Sequence, residues 1–204
     1  MRPSTTAEVW GITADFASPR HVLVQVLDVL GQGVDRVVLR ERRLPWTEQL
    51  DLMEHLLTKG ADPSRVLLRV GDPGQLADAR LLGCGVHLSD RRWTRRPPLP
   101  FVSRAIHRHR DVQDVVADAI VVSPIAQPRS KPPTHPSLGI EGLRQLVMAA
   151  RVPVIALGGI RPGLAADCIR AGASGVAAIT AVFGGIAGEL DALQQAVRMS
   201  TKLG

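Results

Sequence analysis

Aromatic residues are scarce in this chain. Phe, Trp and Tyr together make up 3% of its 204 residues, and there is no Tyr at all. Its core must therefore be built from Val, Leu, Ile and Ala. The scarcity argues against single-stranded nucleic acid as a ligand, because that chemistry wants exposed aromatic platforms for the bases. Lysine is scarce too. Lys59, Lys131 and Lys202 are the only ones among 25 basic residues, and the rest are Arg. Guanidinium binds phosphate and carboxylate in bidentate fashion, so an Arg-rich excess of +6 suits anionic ligands, although a solvated basic surface explains the same count. The two cysteines, Cys84 and Cys168, stand in unrelated segments without metal spacing. They are expected to be reduced thiols of a cytoplasmic protein. Met1 to Asp15 holds no apolar signal core, so no signal peptide is expected. Long apolar runs are missing as well. The longest uncharged run, Ala171 to Gly188, contains five glycines with Ser174 and Thr180, which fits a buried strand and a loop and not a membrane span.

What is present is ordinary globular composition, with 45% hydrophobic and 22% charged residues, enough for one domain over residues 1–204 with a full core. Short β-branched runs alternate with longer helical stretches. The predicted strands are Val9–Thr13, Arg36–Arg40, Arg65–Val70, Gly85–Leu88, Phe101–His107, Ala119–Ser123, Val152–Leu157 and Gly175–Thr180. Most are continuously apolar, as parallel strands covered on both faces should be. Helical periodicity falls on His21–Leu30, Thr47–Lys59, Gln75–Leu82, Asp111–Val116, Ile140–Ala150, Gly163–Ala171 and Glu189–Thr201. Gly31, Gly60, Gly83 and Gly172 follow four of them and read as C-caps. Eight strand–helix units of roughly 25 residues predict a single-domain (β/α)8 TIM barrel of the α/β class, near the lower limit of size for that fold. The fourth helix is expected to be irregular or missing, because Asp90 to Pro100 is rich in Arg and Pro and lacks a helical period. Pro124 to Pro136 is a second irregular segment, placed over the C-terminal mouth where barrels do their chemistry.

Five constellations fall at strand ends. Gly158 and Gly159, in Ala156-Leu157-Gly158-Gly159-Ile160, would let backbone N–H groups approach an anion. Ile179 and Thr180, after strand eight, could face the same anion from the other side, and loops seven and eight are the usual phosphate site of such barrels. Two glycines placed only for tight turns are the plainer alternative. Arg40 and Arg42, in Leu39-Arg40-Glu41-Arg42, are expected on one side of a strand and could share a ligand, against the alternative of an ion pair with Glu41. His107 closes strand five and is well placed for proton transfer, whereas His109 should face solvent. Ser130 and Lys131 lie in the Pro-rich loop, where a flexible ammonium could meet a phosphate or carboxylate. His87, between Val86 and Leu88, reads as a satisfied packing residue. The basic stretch Arg91 to Arg110 could suggest nucleic acid, but it carries no reading motif.

In this order the motifs resemble the thiamine phosphate synthase superfamily. The residues that carry the resemblance are Gly11-Ile12-Thr13-Ala14-Asp15, Leu39-Arg40-Glu41-Arg42, Gly85-Val86-His87-Leu88, Ser130-Lys131, Ala156-Leu157-Gly158-Gly159-Ile160 and Ala171-Gly172-Ala173-Ser174-Gly175-Val176, running from the first strand to the last. The resemblance implies a (β/α)8 barrel acting on thiazole and pyrimidine phosphates of thiamine biosynthesis, with the phosphate anchor falling on Gly159, Ile179 and Thr180. Synthases join a pyrimidine pyrophosphate to a thiazole phosphate and look for an Asn-Asp pair after strand three and an Asp after strand four to hold Mg²⁺. Those positions fall here on Arg69, Val70 and, on or near, Arg92. The synthase Gln falls on Val38, and the Ser before the strand-five His falls on Ala105. The TenI-like branch, thiazole tautomerases, is similar in its Ile-Arg-Glu-Arg-type strand two and in a His matching His107, its acid–base catalyst.

The departures favour a metal-free, cofactor-free tautomerase that aromatises a carboxythiazole phosphate. His107 would be its proton carrier, Arg40 and Lys131 would meet the carboxylate, and the two glycine-side loops would hold the phosphate. A thiamine phosphate synthase, with Mg²⁺ as its cofactor, is the alternative inside the family. A non-catalytic barrel binding a thiamine intermediate is the alternative outside it. A phosphorylated thiazole is the expected partner, with no nucleic acid, no membrane and possible oligomers.

Overall fold

The computed structural model describes residues 6–16, 18–89, 93–107, 112, 115–127 and 136–201. Eight parallel strands close a barrel in sequence order: β1 Glu8–Ile12, β2 Arg36–Leu39, β3 Val66–Val70, β4 Gly85–Leu88, β5 Val102–Ile106, β6 Ala119–Val122, β7 Val154–Leu157 and β8 Gly175–Ala178. Helices α1 Pro19–Gly31, α2 Trp46–Thr58, α3 Gln75–Leu82, α4 Gly139–Ala149, α5 Pro162–Arg170, α6 Thr180–Phe183 and α7 Glu189–Thr201 surround it. No helix among the described residues is long and apolar enough to cross a membrane.

The period-2 alternation of each strand divides the core in two. Outward positions such as Val9, Val37, Leu39, Leu68, Val70 and Val86 join the helices in one large cluster. Inward positions Trp10, Ile12, Val38, Leu67, Ala119, Val121, Ile155 and Ala177 fill the barrel, with Phe101, Leu157 and Ile179 at its ends. Small residues make room for large ones: a Cβ on Gly85 would lie 2.5 Å from Leu67 Cδ2. Trp10, one of few aromatics, is fully buried at the centre. Its indole N–H donates to Glu8 Oε2 at 2.6 Å, and the Arg36 guanidinium, paired with Glu8, lies 4.0 Å from the Phe101 ring centroid. The floor of the barrel is thus a plug of charge on aromatic faces, a contact of order 0.5–2 kcal/mol.

Helix α1 shows how local sequence sets the outer layer. Ser18 caps it, accepting from the His21 N–H at 3.3 Å, and Pro19 opens the first turn. Val22, Val26 and Val29 then recur at helical spacing and are buried against the sheet.

Differences from the sequence reading sit at element ends. Strands stop one or two residues early at β2, β5, β6 and β8, because the next residue leaves the ladder to form the mouth. Thr180 opens the short helix α6 instead of closing β8. Gly31 ends α1 inside the helix, and Gly33, at φ +89°, takes the left-handed turn. No helix links β4 to β5 among the described residues, as the Arg/Pro composition predicts. The expected helix Asp111–Val116 is not found either: Val112, Val115 and Val116 are non-helical, and the rest of it lies outside the described residues.

Candidate active site

The strand ends bring one ring of inward positions to the mouth. Counting on by two from the filled interior gives Arg40 after Val38, Arg69 after Leu67, His87 after Gly85, His107 two beyond Ala105, Ser123 after Val121, and Ile179 after Ala177. Basic and neutral polar groups therefore crown an apolar plug. Arg69 and His87 are paired neighbours across β3 and β4.

Arg40 stands one residue beyond β2. Its N–H donates to Thr13 Oγ1 at 2.9 Å, and Thr13 is fully buried, so the β1 end fixes the backbone that carries the guanidinium. Burial first, then the charges of Arg42 and Arg69, lower the Arg40 pKa; Asp15 and Glu41 oppose the shift. Its Nη1 is shut from solvent, with no hydrogen-bond partner among the described residues.

Arg42 does not share a strand face with Arg40, since β2 ends at Leu39 and the chain turns. Its guanidinium meets Asp15 Oδ2 at 3.1 Å, while Asp15 Oδ1 accepts from the N–H groups of Arg42 and Arg43. Asp15 adopts φ +56°, a left-handed conformation Asp tolerates better than most residues. Desolvation alone would raise its pKa, but the bonds and charge of Arg42 outweigh it and the carboxyl is lowered. Glu41 is not an exposed partner for either arginine. It is 1% exposed, and its Oε2 accepts from the Phe16 N–H at 2.9 Å.

His107 is exposed at the rim. Its Nδ1 lies 3.0 Å from the Ser123 carbonyl oxygen and 3.2 Å from Ser123 Oγ. A carbonyl only accepts, so Nδ1 carries the proton and Nε2 is the basic nitrogen. His87 is the opposite case. It is buried, with Nδ1 2.9 Å from Ser103 Oγ. Burial first, then the charges of Arg69, His107 and Arg40, push its pKa down to about 3. It is a neutral, satisfied imidazole, but it points into the barrel and not, like Val86 and Leu88, into the outer core.

On the far rim, Gly158 and Gly159 have φ of +105° and +64°. A Cβ on Gly159 would lie 2.9 Å from Ala126 Cβ, and one on Gly158 2.8 Å from Pro124 Cα. The Ala126 N–H donates to Gly158 O at 3.0 Å, and that of Ile125 to Leu157 O at 2.9 Å. The glycines thus serve a close approach of the β6 and β7 loops. Among the described residues no backbone acceptor takes the N–H groups of Gly159, Ile179 or Thr180. The tight packing is thus seen directly, on the side that faces the β6 loop. Ser130, Lys131 and His109 lie outside the described residues, as do Arg91, Arg92, Arg108 and Arg110 of the basic stretch.

Mg²⁺ takes oxygen ligands in near-octahedral order. At the positions where the resemblance implies them, Arg69 offers only N–H donors, and Val70 is fully buried in the outer apolar layer. Among the described residues no three His, Cys, Asp or Glu side chains gather as a metal site. At Arg69 and Val70 the donor chemistry does not fit a resident Mg²⁺, and the position on or near Arg92 lies outside the described residues.

Barrel closure, a basic rim on β2 and β3, and N–H groups after β7 and β8 that no backbone acceptor takes among the described residues define a TIM barrel with hydrogen-bond donors on two sides of its mouth. A family profile described as thiamine monophosphate synthase matches residues 9–182. The chain belongs to that family, whose enzymes serve thiamine biosynthesis. It is 33% identical over 187 residues to the thiamine-phosphate synthase of Albidiferax ferrireducens, covering 84% of this chain and 82% of that one. It is 28% identical to the thiamine-phosphate synthase of Moorella thermoacetica, covering 85% and 86%. Among solved structures, thiamine phosphate pyrophosphorylase of Pyrococcus furiosus superposes with a TM-score of 0.71 at 21% identity, covering 98% of each chain, a likeness of fold.

Sequence reasoning meets Arg69 only as the residue standing where a synthase looks for a metal ligand, and it passes over Thr13, Asp15 and Ser123 as mouth groups. The signal for two of them is in the pattern, since Arg69 and Ser123 each stand two residues beyond an inward apolar side chain.

Proposed function

We propose that this chain is a thiamine phosphate synthase, joining a pyrimidine pyrophosphate to a thiazole phosphate. The thiazole nitrogen would form a bond to the pyrimidine's methylene carbon as the carbon–oxygen bond breaks and diphosphate leaves. The observation that carries this is the two-sided mouth, with Arg40 and Arg69 on one rim and, on the other, N–H groups of Gly159 and Thr180 that no backbone acceptor takes among the described residues. One side suits a leaving diphosphate, the other a thiazole phosphate, with the reacting atoms between. Similarity over more than four-fifths of the chain to enzymes named thiamine-phosphate synthase supports the same reading and replaces the tautomerase as the first choice.

A second reading, thiazole tautomerisation in the TenI manner, is favoured by one observation. His107 holds Nδ1–H on Ser123 and presents Nε2 as a base, which is the equipment for moving a proton round a ring. One experiment separates the two. The purified protein is given both phosphorylated precursors and assayed for thiamine phosphate, then given carboxythiazole phosphate tautomer alone and followed by ultraviolet absorbance. Thiamine phosphate formation supports the synthase; aromatisation without it supports the tautomerase. Binding without either reaction makes the chain a silent barrel.

A further inference from the structure

We infer that Arg69 is a specificity-determining residue which, with Arg40, forms a metal-independent subsite for the diphosphate group of the substrate. The observations are independent of the family. Arg69 stands on the inward face of β3, directly above Leu67, and beside inward His87 on β4. No carboxylate among the described residues pairs with it, whereas Arg36, Arg42, Arg96, Arg144 and Arg170 each have one. Arg40, one residue beyond β2, has a buried Nη1 with no hydrogen-bond partner among the described residues, and its field, like that of Arg69, acts on His87. A buried guanidinium nitrogen without an acceptor costs free energy, so its retention points to an acceptor brought by a ligand.

The charge around the pair points the same way. The fields of Arg69 and Arg42 both act against the Arg40 cation, and those of Arg69, Arg40 and His107 all act against protonation of His87. Of the carboxylates beside Arg40, Asp15 accepts from the N–H groups of Arg42 and Arg43 and Glu41 Oε2 from that of Phe16, while Glu41 Oε1 is buried without a hydrogen-bond partner among the described residues; the fields of both favour the Arg40 cation. Arg40, Arg42 and Arg69 outnumber these two carboxylates, so the rim keeps an excess of positive charge over an apolar floor. An anion of two or more charges relieves it. Two planar forks match the non-bridging oxygens of a diphosphate better than one, and they supply the neutralising charge a divalent cation would otherwise bring. Arg69 occupies a position at which a metal ligand would have to offer oxygen, so the two solutions exclude each other at this site.

The identity of the anion rests on the synthase reading; the existence of the subsite does not. The test is calorimetric titration with inorganic pyrophosphate, in EDTA and again with excess Mg²⁺, of the whole chain and of Arg69→Gln and Arg69→Lys. The subsite requires that the wild type bind pyrophosphate in EDTA and that Mg²⁺ not tighten binding. Arg69→Gln should weaken it roughly tenfold or more, because a charge-assisted hydrogen bond contributes at least that factor. Arg69→Lys, which keeps the charge and loses the fork, should fall between and serves alone if the Gln variant does not fold. Equal affinity in folded variants, or wild-type binding only with Mg²⁺, overturns the inference. Arg69-dependent binding with no thiamine phosphate formed upholds the subsite and counts against the synthase reading alone.

Discussion

The imidazole Nδ1 of His107, one residue beyond β5, lies 3.0 Å from the main-chain oxygen of Ser123, one residue beyond β6. Neighbouring strands of the barrel thus hold the ring from behind, and the tautomer follows from the acceptor. A ring so held can give a proton to a departing diphosphate or carry one between ring atoms of a thiazole, so the residue matters under either reaction.

His107→Ala should therefore lower turnover by roughly 10²–10⁴, the usual size of a general acid–base contribution. Affinity for a thiazole phosphate should hold, because the loops after β7 and β8 are untouched. Single-turnover rates beside calorimetric titration separate these. A raised KM with unchanged kcat would make His107 a ground-state contact instead.

The two glycines of the far rim are a stability statement before they are a binding one. Gly158→Ala puts a Cβ 2.8 Å from Pro124 Cα on a residue at φ +105°. Backbone strain and overpacking together should cost about 2–4 kcal/mol, read by urea unfolding. Gly163→Ala is the control. It sits in α5 with nothing within 4 Å of an added Cβ, and it should gain stability by roughly 0.5–1 kcal/mol. Substituting Gly159 meets the same obstacle at Ala126, so its effect on phosphate affinity is readable only alongside an unfolding curve.

His87 couples the site to acid stability. Its pKa is pushed from the ordinary 6.5 down to about 3 in the folded chain, first by burial and then by Arg69, His107 and Arg40. Between those values the unfolded chain binds the proton and the folded chain does not. Stability therefore falls as pH drops from 6.5 toward 3, with a slope of up to ~1.4 kcal/mol per pH unit from this one group. His87→Gln keeps a side chain able to bond Ser103 Oγ and does not titrate. Its stability should be flatter over that window than the wild type's by up to one proton, measured by urea unfolding at several pH values. Parallel curves would show that the proton binds elsewhere.

How much of this is legible in the sequence follows from what alternation can and cannot carry. Continuous apolar runs declare eight covered strands, and the order strand–helix–strand closes them into a barrel. The Arg/Pro composition of Asp90 to Pro100 predicts the absence of a helix where none is found among the described residues. Period-2 counting also places Arg40 and His107 at the mouth. It fails for Arg42, because the turn after Leu39 breaks the count, and Asp15, at φ +56°, captures the side chain from a distance of 27 residues. That pairing is tertiary, as is the bond between Glu41 and Phe16. His87 looks like core because its sequence neighbours are core. Its own side faces the barrel, and only the charges that converge there reveal what surrounds it.

Thr13 is the positioning residue most open to test. Its Oγ1 accepts from the Arg40 N–H at 2.9 Å, and it is fully buried one residue beyond β1. Thr13→Val keeps the shape and removes the acceptor, leaving a part-buried N–H unpaired at a cost of about 1–3 kcal/mol. Some of that loss should appear at the rim, since the Arg40 backbone is no longer tied to the end of β1. Pyrophosphate affinity should weaken and, on the synthase reading, kcat/KM for the pyrimidine substrate should fall, while affinity for a thiazole phosphate stays the same. Thr13→Ser restores the acceptor without the methyl group and should recover pyrophosphate affinity even where stability stays low. A Ser variant as weak as the Val variant would make Thr13 a packing residue with no hold on Arg40.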